Sequence, residues 1–495
     1  MNDDARLSLR TLPSLRSAEA PGYAPGDVRI GIVHLGIGAF FRAHAAVYTD
    51  DVLTEVGGDW GVCGVSQRSR TVPDQLDPQD GLYTVLERSG DGEPTARVIG
   101  SVREVLCAAD EPSTVVERIA APTTKLVTLT VTEKGYRYDP GTGRLAMDDD
   151  LAADLAGEAP RTVVGQLVRG MQQRQRTEAG PLTVVSCDNL PENGPLLAGL
   201  IHEFIAQLPP EEADPLTDWV RSSAAFPQTM VDRIVPATTD DDRAETERLL
   251  GVRDDGVVVA EPFRQWVIED AFAGPRPEWE RAGAILTDDV GAYERVKLRL
   301  LNGTHSTVAY LGAVAGYGFI AEALADQRIA GAARRLITED STPTLTQPPG
   351  VELSAYGDQV LERFSNAALG HRTTQVAMDG SHKLPQRLLG TARERLAAGA
   401  EPRWVALGVA AWLRYLAGTT DAGEPITVDD PLAERLQPLA SADRSASEVT
   451  EAVLRIREVF GDDLGEDERF VELVTTWLDA LRRHGVLGAL EDLAN

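Results

Sequence analysis

Cysteine is scarce. Cys63, Cys107 and Cys187 are the only three in 495 residues. Their odd number and wide spacing argue against a disulfide framework and for a reducing compartment. No CxxC, no HExxH and no close histidine pair occurs, so the chemistry is expected to run without a metal. No apolar stretch approaches the ~20 residues that span a bilayer. Residues 1–25 lack an apolar signal core and read as a flexible arm on a cytoplasmic protein. Positive charge is also in deficit, with 48 Lys and Arg against 77 Asp and Glu, a net charge of −29. Without a basic stripe the chain is not expected to bind nucleic acid. The acidity reads as a solubility feature, and any anionic cofactor or substrate must find a locally positive pocket inside a repulsive field.

The chain is too long for one ordinary core, so two domains are expected. In the first half, short apolar runs at residues 28–35, 60–66, 126–131 and 182–186 alternate with helical periodicity, as at 163–172 and 196–204. Such runs suit strands buried on both faces of a parallel sheet joined by crossover helices. After residue 286 helical segments follow one another, punctuated by Pro and Gly. The reading is therefore α/β: a Rossmann-type dinucleotide-binding domain over residues 1–287 and a mostly helical C-terminal domain over residues 288–495.

The first strand runs into Gly36-Ile37-Gly38 and then Ala39-Phe40-Phe41-Arg42. Gly36 would allow the tight turn, and Gly38 would let a pyrophosphate approach the backbone. The third glycine of the usual GxGxxG is Phe41. Phe40, Phe41 and Arg42 open the helix and complete the candidate cofactor end. The second strand should close on an acidic residue if it grips the ribose of NAD. It closes instead on Ser66-Gln67-Arg68-Ser69-Arg70. Arg68 or Arg70 would accommodate a 2′-phosphate, or both are solvated loop residues. NAD is the expected cofactor, with NADP left open.

The strongest chemical signal is Tyr293-Glu294-Arg295-Val296-Lys297, continuing to Asn302 and His305. At roughly 100° per residue Glu294, Lys297, Asn302 and His305 share one broad arc of a helix, and Arg295 and Arg299 point elsewhere. Oxidation of an alcohol by hydride transfer needs a base for the hydroxyl proton and donors for the developing alkoxide. A lysine in a dry pocket has its charged form destabilised, which suits it to be that base. Asn302 is a donor to the substrate oxygen, and His305 fixes the substrate or the lysine. The bland alternative is a surface Lys–Glu pair with a capping Asn. Two loops follow buried strands, Thr132-Glu133-Lys134-Gly135-Tyr136 and the run from Ser186 through Asp188, Asn189 and Glu192 to Asn193-Gly194. Ligands bind beyond the carboxyl ends of strands in open α/β sheets, although turn chemistry alone accounts for either loop.

The stretches IVHLGIGAFFRAH, TLTVTEKGY, SCDNLPENG, FPQTMVDRIVP, EPFRQWVIED, YERVKLRLLNGTHS and AMDGSHKLPQRLL together resemble the mannitol dehydrogenase family, the polyol-specific long-chain dehydrogenases. The resemblance implies an expanded Rossmann domain and a helical domain with catalysis between them. It implies Lys297 as general base, and an amide oxyanion hole from Asn302 with Asn193 favoured over Asn189. It further implies His305 near the substrate, Glu133 and Glu294 as a proton relay, and Asp232 and Lys383 as substrate-site residues. Such enzymes need no metal, and many are monomers. TEKGY and residues 371–381 look closer to the fructuronate reductases (D-mannonate oxidoreductases) than to mannitol 2-dehydrogenases, which are expected to carry an arginine near position 375, here Gln375. A sugar acid needs a cation for its carboxylate, and Arg372, Lys383 and Lys134 are candidates. The alternatives are D-mannitol or D-arabinitol, mannitol 1-phosphate, and, from another class, a nucleotide sensor without turnover.

Overall fold

The apolar runs of the first half become a six-stranded parallel sheet in the computed structural model, which describes residues 5–90, 92–139 and 141–493. Its strands are β1 (Ile30–Leu35), β2 (Gly61–Ser66), β3 (Val102–Cys107), β4 (Leu126–Leu129), β5 (Leu182–Ser186) and β6 (Ala224–Ala225). They lie in the order β3-β2-β1-β4-β5-β6, every neighbouring pair parallel. That is the strand order of dinucleotide-binding sheets, with its reversal between β1 and β4. All of β4 and β5 is buried, as a sheet covered on both faces requires. Helices Pro112–Ala120, Val163–Thr177 and Asn193–Ile205 supply part of that cover through Val115, Ile119, Leu167, Met171, Leu197 and Phe204.

A second sheet, Ala18–Glu19, Thr95–Ile99, Tyr83–Glu87 and Val258–Ala260, and a third, Thr229–Asp232, Gln265–Glu269 and Ile285–Thr287, complete this part of the chain. The second sheet corrects the reading of residues 1–25 as a loose arm. Residues 1–4 fall outside the described residues. From there on, Leu7 is fully buried against Leu82, Leu86, Val98 and Leu250, and Ala18–Glu19 pairs in parallel with Thr95–Ile99. Scattered leucines were sufficient to dock the segment because each covers an edge of an existing apolar cluster. The three cysteines are buried and unpaired.

The chain divides into two units, Met1–Val290 and Gly291–Asn495. Apart from the isolated bridges Phe319↔Arg372 and Thr419↔Pro425, the second unit is helical among its described residues. Helix Gly303–Ala315 is buried from Gly303 to Val314 and packs on Arg403–Leu416, which packs in turn on Glu468–Leu493. Three π-helical stretches, Lys297–Asn302, Leu336–Ser341 and Pro385–Leu389, occur in this unit, and the first packs against the other two. Among the described residues no helix is long and apolar enough to cross a membrane.

Candidate functional site

In the first unit the glycine turn leaves β1 beside the end of β2. The Gly36 and Ile37 N–H groups both donate to the Val65 carbonyl, at 2.8 and 3.1 Å. Gly36 has φ +99°, and a Cβ there would lie 2.2 Å from the Thr130 carbonyl oxygen, so two constraints demand glycine. Gly38 differs. It is exposed, and a Cβ there would meet only the Gly36 oxygen, at 3.8 Å. The fold itself does not need Gly38 to be small, and the open space over it fits a pyrophosphate against the backbone.

Of the other residues expected at the cofactor, Phe40 is half-buried and stacks on His44 with centroids 5.1 Å apart. Arg68 is exposed. The Phe41 and Arg42 side chains are buried. The Phe41 ring is 2% exposed and stacks on His34 at 3.5 Å. The Arg42 guanidinium is buried, donates to the Gly256 carbonyl and lies over the Tyr83 ring. Both side chains turn inward, because a phenylalanine in place of the third glycine must fill the space between helix and strand. His34 meets it there, bonded to Thr128 Oγ1 (2.7 Å), Thr130 Oγ1 (3.0 Å) and the Gly36 carbonyl (3.1 Å). Burial pushes the His34 imidazole down to about 3, so it is neutral.

The two loops expected to carry chemistry are joined by a residue that sequence reasoning treated as turn chemistry. Asp188, after β5, accepts the N–H groups of Val131 (3.0 Å) and Thr132 (2.9 Å) and the Tyr136 hydroxyl (2.7 Å). Burial raises its carboxyl, and these three donors oppose the rise. Thr132 is held at φ +63°, a conformation β-branched residues rarely adopt. The exposed Glu133 and Lys134 follow directly in the short helix Thr132–Gly135.

Asn193 opens helix Asn193–Ile205 and is 1% exposed. Its Nδ2 donates to the carbonyls of Asp188 and Thr229, each at 3.0 Å, and its Oδ1 accepts the Thr229 N–H at 3.0 Å. Both amide protons are engaged, so donation to a substrate from Asn193 requires one backbone bond to be given up. Asn189 is exposed on the same loop. Asp232 ends strand Thr229–Asp232 and is 5% exposed.

In the second unit, residues 290–315 form one run of helix with a change of pitch. Val290–Val296 is α-helical, Lys297–Asn302 is π-helical, and Gly303–Ala315 is α-helical again. The Gly303 N–H donates to the Leu298 carbonyl, five residues back. Lys297 is 6% exposed, Asn302 and Glu294 are half-buried, and Arg295 is exposed. Arg299 leaves the helix on another side, bonded to Thr344 and bidentate on Glu394. Gly303 is required by contact, since a Cβ there would lie 2.7 Å from the Arg387 carbonyl oxygen of the π segment Pro385–Leu389.

His305 stacks on Phe364 (4.3 Å) and meets His371 edge-on (4.9 Å). Its Nε2 is buried with no hydrogen-bond partner among the described residues, an uncommon state that points to an absent ligand or water. Burial first, then His371, Arg387, Arg363 and Lys383, hold its pKa well below the usual histidine value. Arg387 donates to Ser306 Oγ at 2.9 Å. Lys383 donates to the Met378 carbonyl at 2.5 Å and lies 3.8 Å from Asp379. Arg372 is exposed with its guanidinium 5.3 Å from the Phe319 ring centre, and Gln375 is exposed. Among the described residues no group of three or more His, Cys, Asp or Glu could hold a metal ion.

Comparison with known proteins agrees with this division. The mannitol dehydrogenase Rossmann domain matches residues 30–281, and the mannitol dehydrogenase C-terminal domain matches residues 289–482. The chain is 41% identical to a mannitol 2-dehydrogenase of Pyrenophora tritici-repentis, over 99% of this chain and 86% of that protein. It is also 41% identical to a D-mannonate oxidoreductase of Escherichia coli, over 94% of this chain and 96% of that one. Among solved structures, Pseudomonas fluorescens mannitol 2-dehydrogenase in ternary complex with NAD and D-mannitol superposes with a TM-score of 0.87 at 37% identity, over 99% of each chain. A Rossmann-type domain followed by a helical one, matched along nearly its whole length, makes this chain an oxidoreductase of the mannitol dehydrogenase family.

Proposed function

We propose that the chain is a metal-independent, NAD(P)-dependent secondary-alcohol dehydrogenase interconverting a sugar acid and its 2-keto form, D-mannonate and D-fructuronate. The observation that carries the reading is the helix at residues 290–315, where buried Lys297, half-buried Asn302 and a His305 Nε2 with no hydrogen-bond partner among the described residues occur together. A nicotinamide dinucleotide bound at the Gly36–Gly38 turn would supply or accept the hydride. Lys297 takes the hydroxyl proton as general base. Asn302 donates to the oxygen as its charge develops. His305, kept neutral, offers Nε2 to a substrate hydroxyl. Glu294 and Glu133 are the carboxylates assigned to proton relay, and Asp232 and Lys383 are assigned to the substrate. Asn193 keeps a share in the oxyanion hole only by releasing a carbonyl, so Asn302 is placed first and Asn189 remains the alternative on the same loop.

The substrate class rests on charge. After burial and His371, the cations Arg387, Arg363 and Lys383 each disfavour protonation of His305, in a chain whose net charge is −29. Such a local reversal of sign suits a carboxylate-bearing substrate. Identity does not separate the candidates, being 41% with both the mannitol and the mannonate enzyme. The second reading, oxidation of D-mannitol or D-arabinitol, is supported by the mannitol-bound relative.

Initial rates with D-fructuronate, D-fructose and fructose 6-phosphate, with NADH or NADPH and with or without chelator, test the proposal. Fructuronate is expected to be preferred, with the rate unchanged by chelator. Fructose preference would overturn the substrate ranking, loss of rate with chelator the metal-free claim, and no turnover at all the enzyme reading.

A further inference from the structure

His305 has a second imidazole beside it. His371 meets its ring edge-on at 4.9 Å, and Phe364 stacks on the His305 ring at 4.3 Å. The backbone fixes the place of His371. Its carbonyl accepts the Ile320 N–H at 2.9 Å, and the Thr373 N–H donates to the Gly318 carbonyl at 3.1 Å. Between them Arg372 forms an antiparallel bridge with Phe319. Thr373 also seats this segment on the helix that carries His305, since a Cβ on Gly312 would lie 3.0 Å from Thr373 Cγ2. Both imidazoles are thus presented by anchored backbone, as a preorganised site requires.

Both rings are short of partners. His305 Nε2 is buried without one among the described residues. The half-buried His371 ring has no hydrogen bond or ion pair to the described residues either. Burial lowers both pKa values, so both rings are neutral at neutral pH. A neutral imidazole has one N–H donor and one lone-pair acceptor. Side by side, the two rings offer each kind twice. A carboxylate only accepts, so it would leave both acceptors idle. A hydroxyl donates and accepts, so two neighbouring hydroxyls match the pair group for group.

We infer that His371 is a specificity-determining residue, which with His305 forms a subsite for two neighbouring hydroxyls of an open-chain substrate. The inference rests on the reading of His305 as a substrate residue, and it holds for a sugar acid and a polyol alike.

Initial rates with wild type, His371→Leu and His371→Gln test it. The substrates are the better of D-fructuronate and D-fructose, and its analogues lacking the C3, C4 or C5 hydroxyl. In wild type, two adjacent deletions are each expected to lower kcat/KM about tenfold, the scale of one hydrogen bond. In His371→Leu one of those two deletions should cost less than about twofold, while the other keeps its effect. His371→Gln, whose amide both donates and accepts, should recover part of the lost discrimination. Dinucleotide affinity, measured by calorimetry, should be the same in all three proteins. A wild type indifferent to the three hydroxyls overturns the inference while leaving the dehydrogenase reading standing. So does a His371→Leu enzyme that loses rate equally on every analogue, or loses none. No turnover by wild type overturns that reading and this inference with it.

Discussion

Lys297 and Asn302 stand at the two ends of one π-helical stretch, five residues apart. In an α-helix, five residues turn through 500°, leaving the two side chains roughly 140° apart. With i→i+5 bonding and roughly 4.4 residues per turn, the same step leaves them about 50° apart. The change of pitch therefore brings base and amide to one side of the helix, and the α-helix resumes at Gly303. A lysine base and an amide donor each act on the same substrate oxygen, so their shared side is what the proposed chemistry requires.

The first prediction follows from that arrangement. Lys297→Ala is expected to lose about 10²- to 10⁴-fold in kcat at neutral pH, and Asn302→Ala about 10²- to 10³-fold. Nucleotide affinity should be unchanged in both, because neither residue belongs to the glycine turn. A Lys297→Ala enzyme that kept a tenth of the wild-type rate at pH 7 would remove the base assignment.

Much of this was legible in the sequence, and the rest was not for identifiable reasons. The runs at residues 28–35, 60–66, 126–131 and 182–186 announced β1, β2, β4 and β5, because strands covered on both faces are continuously apolar. The edge strand Ala224–Ala225 is too short to form such a run, whereas Val258–Ala260 of the second sheet lies in one, residues 257–260, that is as buried as the others. Lys297, Asn302 and His305 stood out as a polar set, but a uniform 100° per residue concealed the π pitch. The π stretch packs against the segments at 336–341 and 385–389, and Gly303 leaves room for the Arg387 carbonyl, contacts between residues distant in sequence. Phe41 and Arg42 were placed at the cofactor because the motif places them there. Only the three-dimensional partners, His34 and the Gly256 carbonyl, reveal that their side chains face inward.

The second prediction concerns the anchor of the π stretch. Arg299 is 10% exposed at its side chain and reaches Glu394 and Thr344 through four hydrogen bonds. Arg299→Met removes all four and should destabilise the second unit by about 2–3 kcal/mol, read as a lower urea midpoint. Glu394→Gln should cost about 1 kcal/mol or less, since that side chain is half exposed and its charge is screened. Equal losses for the two would mean that the ion pair, rather than the Thr344 bonds, anchors the helix.

The third prediction is that Asp188 is a positioning residue. Its carboxylate gathers three donors from the loop after β4 and holds Thr132 at its left-handed φ. Asp188→Ala strips those donors and should destabilise by about 2–4 kcal/mol. Thr132→Gly relieves the strained φ without touching the carboxylate and should cost far less, or stabilise by up to about 1 kcal/mol. If Glu133 serves the reaction, Asp188→Asn will lower kcat more than it raises KM for the dinucleotide. A variant affecting only stability would confine Asp188 to a structural role.

The fourth prediction uses the buried His34. Its folded pKa is pushed down to about 3 by burial, from 6.5 in the unfolded chain. Between those values the unfolded chain takes up a proton that the folded chain refuses, so stability falls as pH falls. At pH 5 the loss from this one residue is about 2 kcal/mol relative to neutral pH. His44, also pushed down to about 3, adds a loss of the same sign. Asp340, raised to about 6 by burial, opposes both between pH 6 and its ordinary range, because the folded carboxyl keeps a proton that the unfolded one has released. The wild-type curve therefore mixes opposing contributions, and the informative quantity is a difference. His34→Gln can still bond the hydroxyls of Thr128 and Thr130 but does not titrate. Its unfolding free energy should lie below that of wild type at pH 7.5 and close on it by about 2 kcal/mol at pH 5.0. A gap of constant size at the two pH values would mean that His34 is protonated in the fold and that its stack on Phe41 is a cation–π contact.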